Sequence, residues 1–297
     1  MAPRAWSHLT FLVRELAALD RRVRKRGLDG EGVIGTYGSI GFRQMLLLAW
    51  ELVQAGLLEW RRENPCGRDR VHAVDFGAGI NRPLLVWQAL GLIDRGVGVE
   101  LDSQKVSNGR VYCARMLHAA VHELGLPVSQ RAPELVCKDV VKLSSEDFSS
   151  LRPSLGYSFS QGMGREAHGA MGRLMVEVES MQRLVLLVHT ADAPRLLGAL
   201  RAGAAEAQAV RRRGIRERAH ELVAERGRAV AGWPLCTQDE APEPGTQERG
   251  PGEYWADAGL RVAATISGIS AQGHHGTYTA FVLAKTTRPL PPESPTV

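Results

Sequence analysis

A chain of 297 residues with 44% apolar and 23% charged side chains has the make-up of an ordinary globular protein with an ample core, and no apolar run approaches membrane-spanning length. Its net charge of +5 and pI near 9.2 are mildly basic, and only five of the 37 basic residues are lysine, a surface that suits a nucleic-acid or chromatin partner. The four cysteines (Cys66, Cys113, Cys137 and Cys236) form no C-x-x-C pair, which argues against a disulfide framework or structural zinc and for a reduced, intracellular setting with no membrane and no metal.

Residues 1 to 30 open with an amphipathic helix whose apolar positions are Leu9, Phe11, Leu12, Leu16 and Leu19, ending in a basic run from Arg21 to Arg26 that suits a solvated last turn. The loop Gly35-Thr-Tyr-Gly-Ser39 leads into a strongly apolar helix from Phe42 to Trp60. From Val71 the pattern becomes β/α. Val71 to Phe76 reads as a strand, Gly77-Ala78-Gly79 as a tight turn, Leu84, Leu85, Trp87 and Leu90 as a helical stripe, and Gly96 to Val99 as a second strand ending on Glu100. A helix from Val106 to Leu124 with apolar positions that include Val111, a short strand from Glu134 to Asp139, a strand from Leu155 to Phe159, a helix from Ala167 to Met181 and a strand from Arg183 to His189 continue the alternation. Residues 191 to 256 read as an Ala/Arg/Glu-rich helical insertion, with arginines at 211 to 213, followed by a proline-glycine linker. Two β runs, Leu260 to Ile269 and Thr277 to Lys285, flank a turn bearing His274 and His275, and a proline-rich tail covers 289 to 297. Strands alternating with helices at this spacing predict an α/β fold with a doubly wound, mostly parallel sheet. Trp50, Trp60 and Trp87, at apolar helical positions, read as core.

A strand, a glycine turn and an acid on the next strand serve two cofactor classes. A dinucleotide site wants a third glycine, G-x-G-x-x-G, where this chain has Arg82 followed by Pro83. S-adenosyl-L-methionine carries no phosphate and needs instead a close backbone approach and carboxylates. Gly77, Ala78 and Gly79 offer the first. Asp75 can take the methionine ammonium, Glu100 the ribose hydroxyls, and Asp139, with Val140 beside it, the adenine amine. Taken singly, Asp75 could cap a helix, Glu100 and Asp139 could be surface acids, and the glycines ordinary turn residues. Their order at three successive strand ends favours a ligand, because parallel sheets bind at those ends.

These residues resemble the class I S-adenosylmethionine-dependent methyltransferases: VDFGAG is similar to the family's first motif, GVGVELD to its second and CKDVVKL to its third, over residues 71 to 142. The resemblance implies a Rossmann-like, seven-stranded sheet in a catalytic domain over 67 to 288, with an N-terminal helical extension over 1 to 66. Thr36-Tyr-Gly-Ser-Ile-Gly-Phe42 further resembles the Y-G-E loop of the disruptor-of-telomeric-silencing family, the histone lysine methyltransferases without a SET domain, as does the final hairpin GHHGTYTAFVLAKT. That likeness implies that Tyr37 and Gly38 close over the methionine end of the cofactor, and that the partner is a histone or nucleosome in the nucleus. A cytoplasmic protein, RNA or small-molecule acceptor, or a non-catalytic binding module that retains the fold, are the other readings. Ser39 stands where that family has a glutamate, and Tyr157 to Met163 where it has an asparagine-aromatic stretch.

Methyl transfer from a sulfonium is an in-line displacement that needs alignment and dryness more than chemical groups. Phe159 and Tyr278 are candidate walls of an acceptor channel, with core packing as their alternative role; Ser160 and Gln161 can orient the acceptor. The arginines of 211 to 218 can contact nucleic acid or form a solvated helix face.

Overall fold

The computed structural model describes residues 3–24, 39–58, 70–125, 132–227, 254–255, 257–272 and 277–286. Among them the helices are α1 (Pro3–Arg24), α2 (Phe42–Gln54), α3 (Arg82–Ala89), α4 (Ser103–Leu124), α5 (Arg165–Glu177) and α6 (Ala193–Gly227). The strands are β1 (Ser39–Ile40), β2 (His72–Phe76), β3 (Arg95–Glu100), β4 (Glu134–Cys137), β5 (Leu155–Phe159), β6 (Arg183–His189), β7 (Tyr254–Trp255), β8 (Leu260–Gln272) and β9 (Thr277–Lys285). No helix among the described residues is long and apolar enough to cross a membrane.

All strands join one sheet in the order β1-β8-β9-β6-β5-β2-β3-β4, with β7 beside β8. From β4 to β6 the neighbours are parallel; β9 is antiparallel to β6, and β8 antiparallel to β9. Leaving aside the two-residue β1 and β7, this is the expected doubly wound, seven-stranded, mostly parallel sheet, in which only β9 runs against the rest. The chain moves outward from β2 through β3 and β4, then returns to lay β5 on the other side of β2. The crevice at the carboxyl end of β2 is therefore the switch point where parallel sheets bind ligands.

Side-chain alternation gives the sheet two apolar faces. Ala73, Tyr157, Val185 and Leu187 pack against α1 to α4, while Val74, Phe76, Val97, Leu184 and Leu186 pack against α5 and α6. In α1 the buried stripe is Leu12, Leu16, Leu19 and Val23, at i, i+4, i+7 and i+11. Phe11, expected in that stripe, lies about 100° round the helix from Leu12 and is 57% exposed. Val111 of α4 is likewise exposed. Helix α2 stops at Gln54, short of the expected Trp60, because Gly56 takes a left-handed φ of 66° while the amides of Gly56 and Leu57 turn back to the carbonyls of Val53 and Leu52. Trp87 is fully buried and Trp50 partly so, whereas Trp60 lies outside the described residues.

Arg82, the residue that breaks the dinucleotide fingerprint, is buried at the start of α3. Its Nη2 lies 3.4 Å from Asp20 Oδ2 of α1, and its guanidinium sits 5.0 Å over the Phe42 ring of α2. The Tyr112 hydroxyl of α4 donates to Asp20 Oδ1 at 2.7 Å. One buried ionic network thus ties four helices to the foot of the glycine turn. Replacing Asp20 with alanine leaves Arg82 charged and unpaired, and should lower unfolding stability by about 3–5 kcal/mol in a urea titration. A loss well under 1 kcal/mol would show that the network does not hold α1 in place.

Candidate functional site

Strand β2 delivers Asp75 and Phe76 to a turn that doubles back over β3. The amides of Gly77 and Ala78 both donate to the Val99 carbonyl, at 2.8 and 3.0 Å, and the Asn81 amide donates to Ala78 O at 2.7 Å. Gly77, Gly79 and Asn81 all have positive φ, of 77°, 55° and 67°, the region open to glycine and tolerated by asparagine. The two turn glycines differ in role. The space a Cβ at Gly77 would need is taken by the methyl group of Met163, so this position is bare for packing; a Cβ at Gly79 would meet no atom of the described residues, so a ligand can approach the backbone there.

The turn is seated by Gly98 of β3, where a Cβ would come within 2.6 Å of Ala78 Cβ and 2.9 Å of the Asn81 amide group. Neither Gly98 nor Asn81 stands out in the sequence. Gly98→Ala should push the turn outward, with a stability loss of about 1–3 kcal/mol by thermal melt and weaker ligand binding; an unchanged melting temperature would contradict this seating.

The three predicted acids fare differently. Glu100 is almost fully buried, and each carboxylate oxygen accepts one backbone amide: Oε2 from Gly79 at 2.8 Å and Oε1 from Asp102 at 3.0 Å. It is fixed in place and retains acceptor capacity on both oxygens. Asp75 is 2% exposed, and its Oδ1 is buried without a hydrogen-bond partner among the described residues. Burial, with the nearby charge of Glu100, raises its pKa well above the ordinary 3.8. Beside it in register, the buried hydroxyl of Tyr157 also lacks a partner among the described residues, and burial raises its pKa too. Asp139 caps a 3-10 turn at Val140–Lys142, its Oδ1 accepting from the Val141 amide at 3.0 Å, which leaves its second oxygen for a ligand. Leu101, between Glu100 and Asp102, is 52% exposed and faces the same end of the sheet, with Val140 buried behind Asp139. An apolar side chain so exposed beside two acids suits the flank of a planar ring, a role that residue type alone did not reveal.

On the other side of β2, β5 ends at Phe159 and β6 at His189, and β9 begins with Thr277 and Tyr278. Phe159 and Tyr278 are in ring contact at 5.2 Å, and His189, which pairs in register with Tyr278, meets its ring edge-on at 5.5 Å. Burial raises the Tyr278 pKa. Ser160 is buried; its hydroxyl lies 3.3 Å from that of Ser158, which donates to Phe76 O at 2.9 Å. The acceptor-side strand is thereby bonded to the last residue before the glycine turn. Gln161 follows in the turn ahead of Met163 and is partly buried. His189 is a member of this cluster that sequence reasoning missed, since it only closes an apolar run and the pairing with β9 brings it to Tyr278. Tyr37, Gly38, His274 and His275 lie outside the described residues.

No protein-family model matches the chain, and no curated protein matches it in sequence. Solved structures share the fold only distantly. A Pyrococcus horikoshii protein assigned as an RNA methyltransferase is 12% identical, with 92% of this chain and 98% of that one covered and a TM-score of 0.45. A ribosomal protein L11 methylase of Lactobacillus delbrueckii is 7% identical over 84% of this chain and 81% of the other, at a TM-score of 0.41. A methyltransferase of Thiobacillus denitrificans, solved with S-adenosyl-L-homocysteine, is 12% identical over 49% of this chain and 48% of its own, at 0.32. Likenesses this distant carry no weight for function, which has to be read from the site.

The residues present fit S-adenosyl-L-methionine better than a dinucleotide. Two carboxylates, Asp75 and Glu100, border the turn, and the nearest arginine in sequence, Arg82, is engaged with Asp20. Two acidic side chains so placed favour an ammonium or sulfonium over a pyrophosphate.

Proposed function

We propose that the protein is an S-adenosyl-L-methionine-dependent methyltransferase that methylates an amine nitrogen, with a lysine of a histone-like protein as the acceptor. The observation that carries the reading is the buried, unpartnered carboxylate oxygen of Asp75 beside the fixed carboxylate of Glu100. Burial holds the Asp75 proton to higher pH, and a cationic ligand beside it would favour the ionised form. Asp75 would hold the methionine ammonium, Glu100 the ribose hydroxyls, and the second oxygen of Asp139 the adenine amine, with Leu101 and Val140 against the ring.

The cofactor, when bound, supplies an electrophilic methyl group on sulfur. The chain's own part is to align a nucleophile with it and keep water out. A lysine amine has a reference pKa of about 10.4 and must lose its proton before attack. Tyr278 is 1% exposed and packs in the core beneath the partly buried Phe159, whose apolar ring would disfavour the ammonium form and help that loss. Ser160 and Gln161 would orient the amine. A second reading, an RNA base as acceptor, is supported by the neutral polar groups of Ser160 and Gln161 next to an aromatic face, which suit the edge and plane of a base.

The test is incubation of the full chain with radiolabelled S-adenosyl-L-methionine and, separately, nucleosomes, RNA and fractionated lysate. Label that stays with protein after ribonuclease treatment sustains the lysine reading. Label on RNA alone replaces the acceptor but keeps the methyltransferase, and no label with any fraction removes the enzyme reading altogether.

A further inference from the structure

Helix α6 is far longer than the sheet it covers. It starts at Ala193, after the carboxyl end of β6, and packs on α5 so closely that a Cβ at Gly172 would meet the Leu200 carbonyl and one at Gly203 the Gly169 carbonyl. Ala207 is the last buried residue among its described side chains; the helix continues to Gly227, about 30 Å beyond that point. None of residues 208 to 218 is buried. Arg211 reaches Glu179, in the loop before β6, at 3.2 Å, which places the departure of this arm at the amino ends of the parallel strands, away from Asp75 and Glu100.

The arginines of α6 fall into two groups. Arg195, Arg201 and Arg211 each face an acid: Asp192 at 3.4 Å, Asp257 at 3.2 Å and Glu179. Arg212, Arg213 and Arg216 are exposed and form no ion pair with any described residue. The residues three and four positions from Arg212 are Gln208, Ala209, Ile215 and Arg216, and those from Arg216 are Arg212, Arg213, Ala219 and His220, none of them acidic; Arg213 has Glu217 four positions on but forms no ion pair with it. Like charges at i and i+4 destabilise a helix, and a bound polyanion would relieve them. The exposed Val210 and Ile215 flank this stripe on opposite edges, three positions from Arg213 and Arg212, so the stripe itself is charged and has no apolar centre.

We propose that this arm binds the phosphate backbone of a nucleic acid. Arginine suits the role, since its planar fork grips phosphate oxygens in pairs. The arm lies at the end of the sheet remote from the candidate cofactor site, so it docks a long polyanion without presenting a target to the chemistry. The inference does not rest on methyl transfer.

The experiment is fluorescence anisotropy of the full chain with labelled single-stranded RNA and, separately, duplex DNA across a salt series, comparing the parent with the combined variant Arg212→Gln, Arg213→Gln and Arg216→Gln. Affinity should fall at least about tenfold, and the slope of log K against log salt for RNA should shrink by about 2, at roughly 0.7 for each phosphate no longer neutralised. The paired control Arg195→Gln with Arg201→Gln should bind within about twofold of the parent. Circular dichroism of the triple variant checks that the helix persists. Stronger binding of RNA or of duplex DNA identifies the natural polymer. Parental affinity in the helical triple variant, failure of the parent to bind either polymer, or displacement of RNA by poly-glutamate as readily as by unlabelled RNA would each overturn the proposal, the last in favour of an acidic protein.

Discussion

Glu100→Ala is expected to lower affinity for S-adenosyl-L-methionine by at least about 3 kcal/mol, roughly a hundredfold or more, because hydrogen bonds to an ionised acceptor contribute about 1.5–3 kcal/mol each and the ribose would lose two. The same change removes the acceptor of the Gly79 and Asp102 amides, so the turn should loosen. Unfolding stability should fall by about 1–3 kcal/mol. Glu100→Gln separates the two effects. Its amide keeps the side-chain volume but turns one acceptor into a donor facing a backbone N–H, so binding should fall while the fold survives. Isothermal titration and urea unfolding measure both; a Glu100→Ala protein that binds the cofactor within about threefold of the parent would remove Glu100 from the site.

Asp75 should show the opposite trade-off. Its pKa is raised by burial first and by Glu100 second, so the folded protein holds this proton at pH values where the unfolded chain has released it. The favourable contribution is complete below the ordinary 3.8 and is lost as pH rises from there through the raised native value. Asp75→Asn, which mimics the protonated acid, should remove that slope. Without ligand the variant should match the parent in acid and melt above it at neutral pH, yet bind the cofactor far more weakly because the ammonium loses its counter-charge. In the parent, cofactor binding should strengthen with pH through the same titration. A variant less stable than the parent at neutral pH would mean that Asp75 is satisfied in the native state and is not held in readiness for a cation. The gain in one measurement and loss in the other is the signature of a functional group kept at a cost to stability.

Much of the architecture is legible in the chain because it is local. Strands β5, β6 and β9 begin and end where the apolar runs do, and the succession of strand, turn, helix and acid marks the switch point without any knowledge of partners. Asp75, Glu100 and Asp139 can be picked out since each is the acid nearest the end of an apolar run. The short β1 is not legible: Ser39 and Ile40 are strand only because Gln272 and Ala271, more than two hundred residues on, pair with them. Gly98, Asn81 and His189 escape notice for a related reason, since each acts through a contact set by register between strands or by a turn folding back on its neighbour.

The amino-acid order by itself determines the doubly wound α/β plan, the acids at successive strand ends and the arginine content of α6, all of which follow from periodicity and composition within short windows. Only the tertiary structure decides that Gly79 faces open space while Gly77 packs on Met163, that Arg82 is bound to Asp20 rather than available to a ligand, and that Arg212, Arg213 and Arg216 stand without an acid among the described residues while Arg195, Arg201 and Arg211 each have one. The physical reason is the same in each case. A charge or a bare glycine acquires its role from the groups brought beside it, and those groups come from elements far apart in the chain.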